Sequence, residues 1–190
     1  MKEEIHDITE MRKWKFSWRI FGENFVFKEG EHFYKMPSFL AKNILYRNGS
    51  SYEKVCDSMR TIQKYFGPIT KIPKTEVLRQ DDWHYIIKQA NISWEKLSLK
   101  IMKDNPKLIS KFKRFIIANE LMWEKEGFFL DLLGSDFITQ PQTIHNLLTD
   151  GKEIYVFDFW LLEKAPTSKL FQYFSHLVRK VQLFFVKYFF

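Results

Sequence analysis

The sequence predicts an α+β protein: short antiparallel strands and one capped helix, then helices, a β-hairpin and a basic, aromatic terminal helix. Three observations predict it. Residues 12 to 35 hold short aromatic runs, Trp14-Lys15-Phe16, Phe25-Val26-Phe27 and His32-Phe33-Tyr34-Lys35, with local apolar-polar alternation and turns at Gly22 and Gly30. Ser50 and Glu53 have capping-box spacing, and Val55, Met59, Ile62 and Phe66 follow at helical intervals. Asp150-Gly151 between two apolar-rich runs is a strong short-range hairpin signal.

The amino-terminal runs read as antiparallel strands. The helix over 51–66 is capped by Ser50 and closed by Gly67 in a left-handed conformation. Ile69 to Arg79, broken by Pro73, and Trp83 to Ile92 predict two more strands with Asp81-Asp82 as the turn and Tyr85-Ile86-Ile87 buried. A composition shift near Ala90 to Ser93 divides the chain into two parts, 1–92 and 93–190. A short helix is expected from Ser93-Trp94-Glu95-Lys96. A longer one starts at Asn105-Pro106, with Pro at the favoured first position, a stripe through Ile109, Phe112, Ile116 and Trp123, and an end at Gly127. An irregular stretch leads to the hairpin over 145–159. Strand alternation puts Ile154, Val156 and Asp158 on one face and Tyr155, Phe157 and Phe159 on the other.

Composition bounds the function. The 190 residues, 45% hydrophobic and 28% charged, suffice for one good core or for two small lobes sharing one. Twenty Phe and six Trp make that core aromatic. The single cysteine, Cys56, excludes an internal disulfide and reads as a small buried hydrophobe. Met1-Lys2-Glu3-Glu4 has no apolar signal core and no run is long enough to span a bilayer, so a cytoplasmic protein is expected. The net charge is +7, and residues 161–190 carry five cations against one anion. Specific nucleic-acid binding is not expected, because no aromatic-basic signature or zinc-ligand spacing accompanies that charge. The five histidines are scattered; only His145, beside Asn146, stands where it could orient a phosphate.

Asn146 and Asp158 bracket the hairpin, whose geometry brings its open ends together. An amide oxygen and a carboxylate there are suitable hard ligands for Mg2+. The plain alternative is that Asn146 caps a turn and Asp158 satisfies backbone donors.

Asn146-Leu147-Leu148, Asp150-Gly151 and Ile154-Tyr155-Val156-Phe157-Asp158-Phe159 together resemble the protein-kinase-like superfamily, in which a metal-binding Asn is followed by a hairpin and an Asp-Phe motif. The resemblance implies a two-lobed fold: an antiparallel-sheet amino lobe with one helix, then a reduced, mainly helical carboxyl lobe. It implies ATP and Mg2+ as cofactors and an unidentified phosphoryl acceptor. Lys35 would hold the nucleotide phosphates, Glu53 would hold Lys35, and Asn146 and Asp158 would bind the metal. Asp131, in Phe128-Phe129-Leu130-Asp131-Leu132, would take the acceptor's proton, with Asp136 as the alternative base.

Several departures stand beside the likeness. Fifteen residues separate Asp131 from Asn146, where the family has about five. No Gly-rich loop precedes Lys35, Trp160 stands where protein kinases have glycine, and thirty residues follow it. A compact kinase similar to bacterial aminoglycoside or lipopolysaccharide kinases fits these departures better than a protein kinase. A pseudokinase-like binding module fits them almost as well.

Residues 167–190 predict a helix capped by Thr167 or Ser168, with Leu170, Phe174, Leu177, Val178, Val181 and Phe184 among its apolar positions. Such a helix either packs under the second lobe, lies in the inner face of a membrane with its cations at anionic headgroups, or fills a partner's groove.

Overall fold

The computed structural model describes residues 24–37, 51–79, 85–92, 94–132, 142–159, 161–164 and 169–189. The protein is a mixed α+β structure whose strands pair antiparallel in three sheets. Trp14 to Phe16, Gly22, Ser50, Asp81, Asp82, Asp136, Trp160 and the caps at 166–168 lie outside the described residues.

Strands β1 (Asn24–Glu29) and β2 (His32–Pro37) form a hairpin, and Gly30 takes φ +52° in its turn. Helix α1 (Tyr52–Phe66) follows, then β3 (Thr75–Arg79) and β4 (Tyr85–Ala90), giving the order β1-β2-β4-β3. β2 is therefore an interior strand, with Lys35 opposite Ile87 of β4. The helix cap is Ser51, whose hydroxyl accepts from Lys54 N at 3.4 Å, one residue later than Ser50. Gly67 is not left-handed either. It has φ −52°, and its value is room: a Cβ there would run into the Gln63 carbonyl and side chain. Cys56 is half-buried rather than buried. The strand expected from Ile69 begins only at Thr75, because Pro73 has no ladder donor; Lys71 instead bridges β8 (Ile154–Val156) in parallel.

The segment from Glu95 to Ser98 is strand β5, where the sequence suggested helix, and the short helix α2 (Leu99–Lys103) starts only after Ser98 caps it. Pairing explains the shift: β5 covers the edge of β7 (Thr143–Thr149), and Leu97, opposite Ile144, is buried in the core. Helix α3 (Pro106–Lys125) starts as predicted, with Asn105 as cap and Pro106 at the first turn, and Gly127 follows it at φ +75°. The stretch expected to be irregular contains β6 (Phe128–Leu130), which pairs with β9 (Leu161–Glu163). β7 and β8 form the predicted hairpin, Thr149 facing Ile154 across a turn with Gly151 at φ +84°. The last helix, α4 (Lys169–Phe189), runs against β9 and α3.

One core unites the two parts. Ile62 and Phe66 of α1 are buried with Phe112 and Phe115 of α3 and with Leu147, Ile154 and Val156 of the hairpin. The Phe66 and Phe115 rings stack at 4.3 Å. The amino-terminal end of the same α1 face uses Val55 against Tyr85 and Ile87, which fixes the first sheet on the same helix.

Candidate active site

Lys35 lies on β2, an interior strand on which its neighbour Tyr34 is buried as well. Lys35 is one of the least exposed side chains in β2, and its ammonium leaves the first sheet toward the residues just after β8. Nζ donates to the Phe157 carbonyl at 2.9 Å, lies 3.7 Å from Asp158 Oδ1 and sits 4.0 Å above the Phe157 ring. Burial pushes the lysine's pKa below its ordinary value, and the Asp158 carboxylate opposes that shift.

Asp158 does not end a strand, as alternation suggested. β8 stops at Val156, and the Asp158 carboxylate accepts from Phe159 N at 3.0 Å, a local bond outside the two-residue period of the strand. Phe159 consequently joins Ile154 and Val156 in the core instead of facing away from them.

Asn146 is the crosslink. Its carbonyl accepts from Phe157 N at 3.1 Å, and its amide Nδ2 donates to the Asp131 carbonyl at 2.6 Å. Asp131 stands just after β6, held there by Asn119 of α3. That buried amide accepts from Leu130 N at 2.8 Å and donates to Leu130 O at 3.1 Å. The Asp131 carboxylate accepts from Gln182 Nε2 at 2.6 Å, while Gln182 Oε1 takes the Leu132 N–H at 3.0 Å. Gln182 is fully buried and comes from α4.

Lys35 thus meets Asp158, and Asn146 joins the Phe157 backbone, one residue before Asp158, to the Asp131 backbone carbonyl. Glu53 is not among these contacts. It is exposed on the first turn of α1, where an acid complements the helix dipole, and the carboxylate beside Lys35 is that of Asp158. His145, on the other face of β7, meets Lys96 at 2.9 Å through Nδ1. Beside Lys35, the Phe33 and Phe157 rings meet edge to face at 5.8 Å.

Two residues escaped sequence reasoning. Asn119 carried a signal, since a lone amide falls on the α3 stripe between Phe115 and Met122. Gln182 carried none: in a basic helix a glutamine reads as solvent-facing. Among the described residues no cluster of three or more His, Cys, Asp or Glu could hold a metal. Comparison with family models, curated proteins and solved structures finds no match to this chain.

Proposed function

We propose that the chain is a compact kinase-like phosphotransferase that moves a phosphoryl group from ATP to an acceptor with Mg2+. The observation that carries this reading is the Lys35–Asp158 pair joining two sheets, with Asn146 tied both to the residue before Asp158 and to Asp131. Two strands, a helix and two strands over residues 24–90, followed by a hairpin ending in Asp-Phe, support the two-lobed fold that the resemblance implies.

In this reading the Lys35 ammonium binds phosphate oxygens, and Asp131 accepts the proton of the attacking hydroxyl. Asp158 and the Asn146 amide oxygen are the groups that would hold the metal. The donor set fits, because Mg2+ is commonly bound by one or two protein oxygens and completes its shell with phosphates and water. Once bound, Mg2+ neutralises charge on the phosphates; Lys35 keeps them oriented by its fixed ammonium.

A second reading, a pseudokinase-like module, is favoured by one contact. Phe33 stands two residues before Lys35, where the Val-Ala-Ile-Lys pattern of protein kinases has alanine, and its ring touches Phe157. That pair narrows the space beside Lys35 which a nucleotide base would need.

The test is a thermal-shift titration with ATP, with and without Mg2+, on the wild type and Asp158→Asn, each against its own baseline. Binding at a hundredfold excess over Kd adds about 2.7 kcal/mol of stability, a rise of several degrees. The expected result is a Mg2+-dependent rise in the wild type that is lost in the variant. No rise at millimolar ATP would sink the phosphotransferase and leave the module.

A further inference from the structure

We infer that α4 docks the protein on an anionic lipid surface through its outward face. The protein side of α4 mixes polar and apolar anchors: Ser175 and Gln182 are buried, Gln182 bonds the loop after β6, Arg179 pairs with Glu120 of α3, and Val178 and Val186 pack on the core. Its solvent side is apolar. Leu170, Tyr173, Phe174, Leu177, Phe184 and Tyr188 recur at intervals of three, four and seven along α4, and each is between 46% and 75% exposed. Isolated exposed hydrophobes need no explanation, but a continuous stripe along one helix does.

Charge selects the occupant. Lys169, Lys180 and Lys187 are exposed, and their spacings of eleven and seven residues return them to one side of the helix, along the stripe's edge. Tyr173 and Phe184 each stand four residues after one of these lysines, so the cations and rings share an edge. No Asp or Glu occurs between Lys169 and Phe189. Two copies meeting on this face would bring lysine rows together with no carboxylate on either helix. An anionic headgroup layer answers the lysines while the acyl boundary takes the rings, and tyrosines suit that boundary because they have apolar bodies and polar tips. The helix lies in the interface rather than crossing it: no helix among the described residues is long and apolar enough to span a membrane.

The test is co-sedimentation of the full chain with vesicles of phosphatidylcholine, and of phosphatidylcholine mixed with anionic phosphatidylglycerol, without nucleotide. Binding to the mixed vesicles alone is expected. Each lysine near the surface contributes roughly fivefold in partitioning, so Lys180→Glu/Lys187→Glu should lower it at least twentyfold, to a degree that falls with added salt. Leu177→Ser/Phe184→Ser should abolish it, with circular dichroism checking the fold; if that variant unfolds, the exposed-lysine variant decides alone. Docking is overturned by absence of binding to the anionic vesicles, or by a lysine variant that binds as well as the wild type. It is equally overturned if the face mediates only self-association, seen by sedimentation velocity and lost in Leu177→Ser/Phe184→Ser. None of these readouts depends on the phosphotransferase reading.

Discussion

Asp158→Asn is expected to destabilise the fold by about 2–3 kcal/mol near neutral pH, while Lys35→Met changes it by less than about 1 kcal/mol. The asymmetry follows from burial. Lys35 is almost fully buried, whereas about a quarter of the Asp158 side chain reaches solvent. Removing the carboxylate leaves a buried ammonium facing the Phe157 carbonyl and the Phe157 and Phe159 rings, with no countercharge from Asp158. Removing the ammonium leaves a carboxylate that keeps the Phe159 N–H and can be hydrated. Asparagine preserves the acceptor for that N–H, so the change isolates charge from shape. Urea denaturation of both single variants and the double variant closes the cycle. The double variant should resemble Lys35→Met; a double variant as unstable as Asp158→Asn would mean that Asp158 acts through its bond to Phe159 N–H and not through the lysine.

The same pair fixes a pH signature. The folded-state pKa of Lys35 lies below the ordinary lysine value of 10.5, so the unfolded chain binds more protons between the two values. The burial cost is fully present below the folded pKa and fades as pH climbs through it. Once the lysine is neutral the carboxylate has nothing to pair with. The gap between the wild type and Asp158→Asn should therefore close in the alkaline range, and a gap independent of pH would count against the ion pair as its cause.

Local signals were legible in the sequence and orientation was not. The capped helix, the Asn105-Pro106 start and the Asp150-Gly151 turn are encoded within a few residues, and each forms within one residue of its expected place. Asn146 rides on the hairpin that the Asp150-Gly151 turn encodes and Lys35 on the β2 strand, whereas Asp158 falls just past β8, where alternation no longer sets its direction. Glu53 was misplaced because a helix's rotation depends on what it packs against, here Val55 on Tyr85 and Ile87, and residue type does not encode that. The apolar periodicity of α4 likewise marks a stripe without saying which side the protein takes. The Leu132 N–H is one determinant, because that donor needs an acceptor and Gln182 supplies it from the side of α4 that also packs Val178 and Val186 on the core. Partners fifty residues apart in sequence leave no mark in either local pattern.

That contact yields a second large effect. Gln182→Glu should cost about 2–4 kcal/mol at neutral pH, since it keeps an acceptor for Leu132 N–H but sets a buried carboxylate against Asp131 in place of a donor. Two carboxyls at hydrogen-bond distance cannot both ionise cheaply, so they share a proton with a folded-state pKa raised above that of an unfolded glutamate, about 4.3. A raised value sets the sign. The stabilisation by the shared proton is complete below the unfolded value and is lost as pH rises through the folded one. At acid pH the protonated carboxyl can donate to Asp131 as the amide did, and the variant should approach the wild type measured at the same pH. Gln182→Leu has neither donor nor acceptor and should lose a comparable amount at every pH. If the two variants track each other across the titration, the Asp131 contact is not what binds α4 to the loop after β6. If only the glutamate variant recovers in acid, one buried amide joins the candidate base to the helix proposed to dock on lipid.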